Sequence, residues 1–589
     1  METIQALKKA LTSEFSYREI EAAVINYIVT SSGLSSNGLD LFDNNADRIA
    51  ACTTVLQRHG FSGDTETAIH LFESFSDDGA AARNGIVFTP IQLARYIVEL
   101  TLKRYDKWEH HIKLLDPACG CGIFLIAAID VIHERFGTPV RRIIEDNLYG
   151  FDILNENVRR CRSLLKIACL KNGEPAEGLQ DNIITVDALR ADWRSVSEVR
   201  GFDTIIGNPP YISAKNIDES TMSYLHSHYI SSGGMCNVCE AFVEKAVLSL
   251  SDKGQCCFVL PNTILSSRNS AGIRKLIADR GLADTIIEYK DVHVFDKVKV
   301  YCCVFLLNAL KHNTLSYTAS RTILPNNFKE LPLSNFTADG FISHDSKVRD
   351  DIAKIERFRL KLGKYMIMQL CTQCDELYLV KTDKGGFYAE YNGLRYDLEP
   401  EMVKPLYKVS DFARVGLRKR YIIYPYVDGA AIPEENLRKR FPNTYQYLMT
   451  VKPVLDLRNK GKQNSDGWYA YGRRQGLKAY PKKILFPNYA AKPSFRLIED
   501  DALFINGGGI AENNELPLHL LLGVLNSPIM RYYVQYTSKA IQRGYYLYNK
   551  TTIGRFSIPD FSENEKDLLA TGSDEQVNEM LFRKYDITI

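Results

Sequence analysis

The chain has no uninterrupted apolar run of about 18 residues, the length a membrane-spanning helix needs, so no membrane span is expected. Residues 1–10 mix polar and apolar side chains and lack the basic-then-apolar layout of a secretory leader. Net charge is also scarce. With 73 Lys and Arg against 71 Asp and Glu, the balance is only +2, and a nucleic-acid partner would have to be met by a local patch. The 13 cysteines are odd in number and scattered, and Cys256, Cys257, Cys302 and Cys303 lie in apolar runs. That usage fits reduced thiols in a cytoplasm and not a disulfide framework. Cys119 and Cys121 are one residue apart, too close for zinc knuckles. The Cys236/Cys239 and Cys371/Cys374 pairs have the two-residue gap but lie far apart in the chain, so no metal is expected. No internal repeat or low-complexity tract stands out.

What is present is a chain of 589 residues, enough for roughly two to four domains. With 45% hydrophobic and 24% charged residues it reads as globular. Residues 1–82 have helical spacing, as in Ile20, Val24 and Ile28, interrupted by a Ser/Gly/Asn-rich loop over 31–40. The expectation is a helical N-terminal arm packing on the next domain. From about residue 86, short β-rich runs alternate with helical ones. Strands are predicted over 112–115, 148–151, 183–186, 204–206, 256–260, 286–289 and 302–307, with helices such as 123–136 and 240–250 between them. This rhythm predicts an α/β domain with a doubly wound, mostly parallel sheet over 83–310. Ligands in such sheets sit at the carboxyl ends of the strands, near the switch point. After residue 308 the alternation fades. A connector over 311–370 and a separate mixed α/β domain over 371–589 are expected.

The first strand runs into Asp116-Pro117-Ala118-Cys119-Gly120-Cys121-Gly122 and then an apolar helix. Glycines in a strand-to-helix turn let backbone approach a ligand closely. The turn lacks the longer dinucleotide fingerprint and the lysine of a phosphate loop. A zwitterionic amino acid joined to a ribose and adenine suits it better. Asp152 ends the second strand, where a ribose is usually held, and Asp187 ends the third, where it can accept from an adenine amino group.

After the fourth strand comes Gly207-Asn208-Pro209-Pro210-Tyr211. Two prolines remove two backbone donors and fix φ, leaving carbonyls as acceptors. The Asn208 side-chain oxygen and the Pro209 carbonyl can together receive both hydrogens of an aryl amine. That draws the nitrogen lone pair out of conjugation toward a methyl donor. Tyr211 offers a flat face for a base, worth roughly 1–3 kcal/mol. No Pro-Cys dipeptide occurs anywhere, which excludes the usual covalent route to C5-cytosine methylation.

Taken in order, Ile86-Val87-Phe88-Thr89-Pro90, the Asp116 turn, Asn208-Pro209-Pro210-Tyr211, Glu240-Ala241-Phe242-Val243-Glu244-Lys245-Ala246 and Val259-Leu260-Pro261-Asn262-Thr263 resemble the gamma-class, TaqI-like DNA amino-methyltransferases. The resemblance implies a class I methyltransferase fold, S-adenosyl-L-methionine as cofactor, a C-terminal target-recognition domain, double-stranded DNA as partner and a cognate restriction endonuclease as a candidate partner. It implies that Thr89 touches the methionine end of the cofactor and that Asp116, Ala118 and Gly120 line it. It places the ribose on Asp152, the cofactor adenine on Asp187 and Ala188, and the target base on Asn208, Pro209 and Tyr211. A second aromatic often closes the far side of the base, at the end of the strand after Val294-Phe295. That position counts to Leu307 here, with Phe305 as the alternative.

Between Arg438 and Arg496 stand 14 Lys or Arg and only 2 acidic residues, interleaved with Tyr445, Tyr447, Trp468, Tyr469, Tyr471, Tyr480, Phe486, Tyr489 and Phe495. Such a patch suits phosphate contacts. Arg418 and Arg420, and likewise Arg473 and Arg474, are candidate DNA contacts. The Gly507-Gly508-Gly509 run and the tyrosines of 545–548 are either DNA-facing loops or turns and core. The reading is methylation of N6 of a flipped-out adenine, in a restriction-modification system or by a solitary enzyme. N4-cytosine and protein glutamine methylation, which use a similar loop, are the alternatives. A catalytically dead DNA-binding fold is disfavoured by the intact loop and turn. The nuclease-like Asp284 and Glu288-Tyr289-Lys290 are read as structural, because a sheet strand already claims them.

Overall fold

A computed structural model describes residues 2–588, apart from 35–38, 40–44, 76–88, 213–215, 233–236, 290–294, 296–300, 345, 413–415, 459–463, 513–514, 516, 539 and 542–543. Residues 86–88 of the first motif, Val294, Cys236 and Lys290 therefore lie outside the described residues. The chain divides into two units, Met1–Ser343 and His344–Ile589. Among the described residues, no helix is long and apolar enough to cross a membrane.

The first unit is built on a nine-stranded sheet. Its strands are β1 (Leu114–Asp116), β2 (Leu148–Asp152), β3 (Asn182–Thr185), β4 (Phe202–Gly207), β5 (Leu250–Pro261), β6 (Ala283–Tyr289), β7 (Cys302–Asn308), β8 (Thr314–Ser320) and β9 (Lys329–Pro332). The order is β3-β2-β1-β4-β5-β7-β6-β8-β9. Strands β1 to β5 are mutually parallel where they pair, and β7 runs antiparallel between β5 and β6. The chain thus winds outward from β1 to β3, then returns across β1 to start β4 on its other side. The switch point lies between β1 and β4, which is where a ligand crevice opens in this fold class. All seven strands expected from the sequence are present.

Helices cover the sheet because their apolar positions demand it. In α6 (Ile123–Phe136) residues 123–129, 131 and 132 are buried, which is why it reads as apolar on nearly every side. The four N-terminal helices α1 (Glu2–Thr12), α2 (Tyr17–Ser31), α3 (Ala46–Arg58) and α4 (Thr65–Glu73) do not form a core of their own. Ile28, Leu56 and Phe72 share one apolar core with Leu114, Leu125 and Val259. Helix α5 (Ile91–Leu102) starts at Pro90 with no side-chain cap of its own, and Glu66 of α4 accepts its Ile91 N–H at 3.0 Å. The arm is part of the first unit.

The expected connector over 311–370 is divided between the two units. β8 pairs parallel with β6, and β9 antiparallel with β8, so the sheet runs past residue 310. Leu360–Lys361 and Met366–Ile367 instead pair within the second unit, with Ser557–Ile558 and Gly507–Ala511. The strand–helix rhythm faded here because β8 and β9 are joined without a helix, not because the sheet had ended. The second unit carries a six-stranded and a four-stranded sheet with flanking helices, each sheet on its own apolar core.

Candidate active site

The two strands at the switch point end side by side. Asp116 closes β1 and Gly207 closes β4. Gly207 has φ 149°, and a Cβ there would stand 2.7 Å from Asp116 Oδ1, so only glycine lets the strands meet this closely. The Asp116 carboxyl is 1% exposed, and its Oδ1 accepts the Ala118 N–H at 3.0 Å. Burial, with the nearby Asp152 charge adding to it, pushes its pKa up to about 8.

The turn that follows is left-handed at Gly120 and Gly122, with φ of 54° and 95°. Asp152 reaches across from the end of β2. Its Oδ2 accepts the Gly120 N–H at 3.1 Å, while Oδ1 accepts from the Leu154 N–H at 2.8 Å and Asn157 Nδ2 at 3.2 Å. Burial raises its pKa as well. Asp187 lies two residues beyond the end of β3. Its Oδ1 accepts the Leu189 N–H at 3.0 Å and its Oδ2 pairs with Arg190 Nε at 3.2 Å. The Ala188 carbonyl accepts from the buried Trp193 Nε1 at 2.7 Å, which fixes that turn. The structure therefore gathers Asp116, Ala118, Gly120 and Asp152 at one turn and sets Asp187 and Ala188 at the end of the next strand but one.

At the end of β4, Asn208 Nδ2 donates to Oγ1 of the buried Thr89 at 3.2 Å. This orients the amide, so Oδ1 is its acceptor end. Pro209 is buried and, like Pro210, offers no backbone donor. The loop is then pinned where Val238, at the start of α8 (Val238–Ser249), donates its N–H to the Ile212 carbonyl at 3.0 Å. Tyr211 packs against both apolar cores of the first unit, and its hydroxyl lies against the Cys302 thiol. Burial raises the pKa of that hydroxyl strongly.

The expected far wall of the base site is corrected here. Leu307 pairs with Cys256 and Phe305 with Phe258, and both are only 1% exposed. Because β7 runs antiparallel to β5, its first residue, not its last, lies at the carboxyl end of β5. Leu307 therefore sits deep in the sheet, and Phe305 packs on Phe336 with ring centroids 5.3 Å apart. The aromatic beside Tyr211 is Phe295, between β6 and β7, with centroids 6.3 Å apart and planes at 65°. Counting along the strand missed it; the Val294-Phe295 pair itself was the signal.

Residues 70–335 match the family model described as N-6 DNA Methylase. By that segment, the first unit is similar to the N-6 DNA methylases. Among curated relatives, the type II restriction enzyme and methyltransferase RM.Eco57I of Escherichia coli is 22% identical over 588 residues, covering 83% of this chain and 59% of its own length. The type II methyltransferase M.PaeR7I of Pseudomonas aeruginosa is 22% identical over 560 residues, covering 88% of this chain and 94% of its own. This chain thus spans nearly the whole of one relative and under two thirds of the other. Among solved structures, the type IIL restriction-modification enzyme MmeI in complex with DNA shares the fold at a TM-score of 0.66 and 13% identity, covering 100% of this chain and 92% of that one. The N-6 DNA methylase match begins inside α4, well before residue 83, in agreement with the shared core.

In the second unit the basic, aromatic segment is sorted by burial. Tyr447, Tyr469, Tyr471, Phe486 and Phe495 are core residues, whereas Tyr489 is exposed. Gly507-Gly508-Gly509 is a strand whose glycines face Val409, Phe486 and Ile367, so it is core and not a DNA-facing loop. Tyr545 is exposed and Tyr548 buried. Arg418 and Arg473 are exposed, while Arg420 pairs with Asp411 and Arg474 with Asp466.

Proposed function

We propose that the chain is a sequence-specific DNA methyltransferase that modifies N6 of adenine, as the modification partner of a restriction system or as a solitary enzyme. One observation carries this reading most. Asn208 has its amide oriented by Thr89 at the switch point, immediately beside the carboxyl-lined turn of Asp116. The chemistry of that turn fits S-adenosylmethionine. Left-handed glycines bring backbone close, and buried carboxyls with raised pKa values suit a ligand that carries positive charge.

When bound, that cofactor supplies an electrophilic methyl group on a sulfonium. The protein's residues do the rest by orientation. Asn208 Oδ1 and the Pro209 carbonyl accept the two hydrogens of the target amine and aim its lone pair. Tyr211, with Phe295 at its edge, supplies the aromatic wall against which an extruded base rests. Asp152 holds the ribose hydroxyls, and Asp187 with Ala188 the cofactor adenine. The second unit reads the DNA through its exposed cations, Arg418 and Arg473 first. The names of the relatives, restriction enzymes and methyltransferases, support DNA as the target.

The test is incubation with labelled S-adenosylmethionine and genomic DNA lacking the modification, followed by nucleoside analysis. Label in N6-methyladenosine at a discrete set of sites is expected. Label in N4-methylcytosine, in protein, or in no product would overturn the reading.

A further inference from the structure

The N-terminal helices bring one more carboxyl to the cofactor turn. Glu73 is the last residue of α4, and a Cβ on Gly120 would meet one neighbour there, Glu73 Oε1, at 3.4 Å. Helix α4 is held in place at its start. Asp64 caps its start, accepting the Thr67 N–H at 2.7 Å, and Glu66 caps α5. Behind Glu73, Phe72 and Phe75 flank the guanidinium of Arg160, on α7 (Asn155–Lys171), each at 5.6 Å.

Arg160 is already engaged. Its Nε donates to Glu21 Oε1 at 2.7 Å, and Nη1 to Asn157 Oδ1 at 3.4 Å. Glu21, on α2, is 1% exposed and also takes Arg159 Nη2 at 3.1 Å. Asn157 in turn donates to Asp152. A continuous network thus runs from the N-terminal helices through Arg160 and Asn157 to Asp152, with Glu73 above the same turn. Among the described residues, the charged and titratable groups that face Glu73 include Asp152 at the end of β2, Arg160 on α7 and the Cys121 thiol of the turn. Asp116 stands on the other side of that turn.

We propose that Glu73 is a cofactor-binding residue, its carboxylate receiving the α-ammonium of the methionine end. This rests on the methyltransferase reading above. The charge balance points to the ammonium and not to a hydroxyl. Glu73, Asp116 and Asp152 put three carboxyls around one glycine turn, and Arg160, the guanidinium facing Glu73 among the described residues, is shared with Glu21. A neutral hydroxyl gives these buried carboxyls no charge to ionise against, whereas an ammonium does. Consistently, burial and Asp152 together push the Glu73 pKa up to about 8. Near neutral pH the ligand-free carboxyl holds its proton, and binding a cation releases it.

The experiment is calorimetry on the full chain, wild type and Glu73→Gln, with S-adenosylhomocysteine and with methylthioadenosine, which lacks the amino-acid tail. Titrations run at pH 7 in two buffers of different ionisation heat. The expected result is that Glu73→Gln weakens S-adenosylhomocysteine by about tenfold or more, as loss of a charge-assisted hydrogen bond does. It should also release fewer protons on binding, while methylthioadenosine binds both proteins equally. The ligand's own titration is common to both proteins and cancels. Unchanged affinity and unchanged proton release in the variant would overturn the proposal, as would equal weakening of both ligands. Glu73→Asp, which keeps the charge, should fall between the two proteins, and melting curves show whether either variant is folded. If Glu73→Gln is unfolded, the Glu73→Asp titration decides on the same criteria. Failure of the wild type to bind either ligand would remove the cofactor reading itself, an outcome distinct from a failure of Glu73 alone.

Discussion

Asn208 shows how much one side chain is asked to do. Its amide nitrogen is committed to Thr89, so its oxygen has a fixed direction before any base arrives. Such preorganised acceptors act on charge that develops in the transition state. Asn208→Ala is expected to lower methyl transfer by at least about a hundredfold while leaving S-adenosylhomocysteine affinity unchanged. Single-turnover rates beside a binding isotherm check this, and normal turnover would sink the role. Asp116 sets a pH dependence. Its folded pKa, about 8, is raised above the ordinary carboxylate value. Stability from this group is full below about pH 4 and is lost as pH rises toward 8, because over that range the unfolded chain gives up the proton that the folded state keeps. The ligand-free protein should therefore melt lower at pH 8 than at pH 5.5, and Asp116→Asn should flatten that slope. Equal slopes in the two proteins would mean that other groups govern it.

At the scale of elements, the N-terminal helices matter through a buried ion pair. Removing one partner of such a pair strands the other, at a cost of about 3–5 kcal/mol. Glu21→Gln should approach that loss in denaturant unfolding of the first unit and should also loosen Asp152 through Asn157. A stability change within about 0.5 kcal/mol, the usual range for surface substitutions, would show that the pair is not structural. This link was invisible in the sequence. Helical periodicity shows that α2 and α4 exist, but nothing local says that Glu21 faces Arg160, 139 residues away. The base wall failed for a related reason. The strand at 302–307 was legible, but its antiparallel direction was not, and direction decides which end of β7 reaches the site. Phe295→Ala should weaken target-base binding, read as a rise in KM for DNA, whereas Phe305→Leu should act on stability alone. A KM shift for Phe305→Leu instead would restore the strand-end assignment.

Over the whole molecule, the parts that could be read were those set by local pattern. The glycine turn, the Asn-Pro-Pro-Tyr loop and the alternation of strands and helices are each written in contiguous residues, and the switch point follows from their order. The second unit is different, because its basic and aromatic residues serve two purposes at once. Tyr447, Tyr469 and Tyr471 carry the core of that unit, so aromatic density there reports packing as much as recognition. The cations divide likewise. Arg474 is tied to Asp466, whose side chain is 8% exposed, while Arg473 is exposed and its backbone N–H is anchored to the Cys371 carbonyl at 3.2 Å. Among the described residues the Arg473 guanidinium has no carboxylate to give up, so it can meet a phosphate from an anchored backbone. Arg473→Ala should therefore weaken DNA binding about equally for all sequences and lower the salt slope of log K by about 0.9. Arg474→Ala should change that slope less and lower the melting temperature more, since it leaves Asp466 without its guanidinium partner. Fluorescence anisotropy across a salt series, with melting curves of both variants, separates the two. A full-sized slope change for Arg474→Ala and none for Arg473→Ala would move the DNA contact to the paired residue.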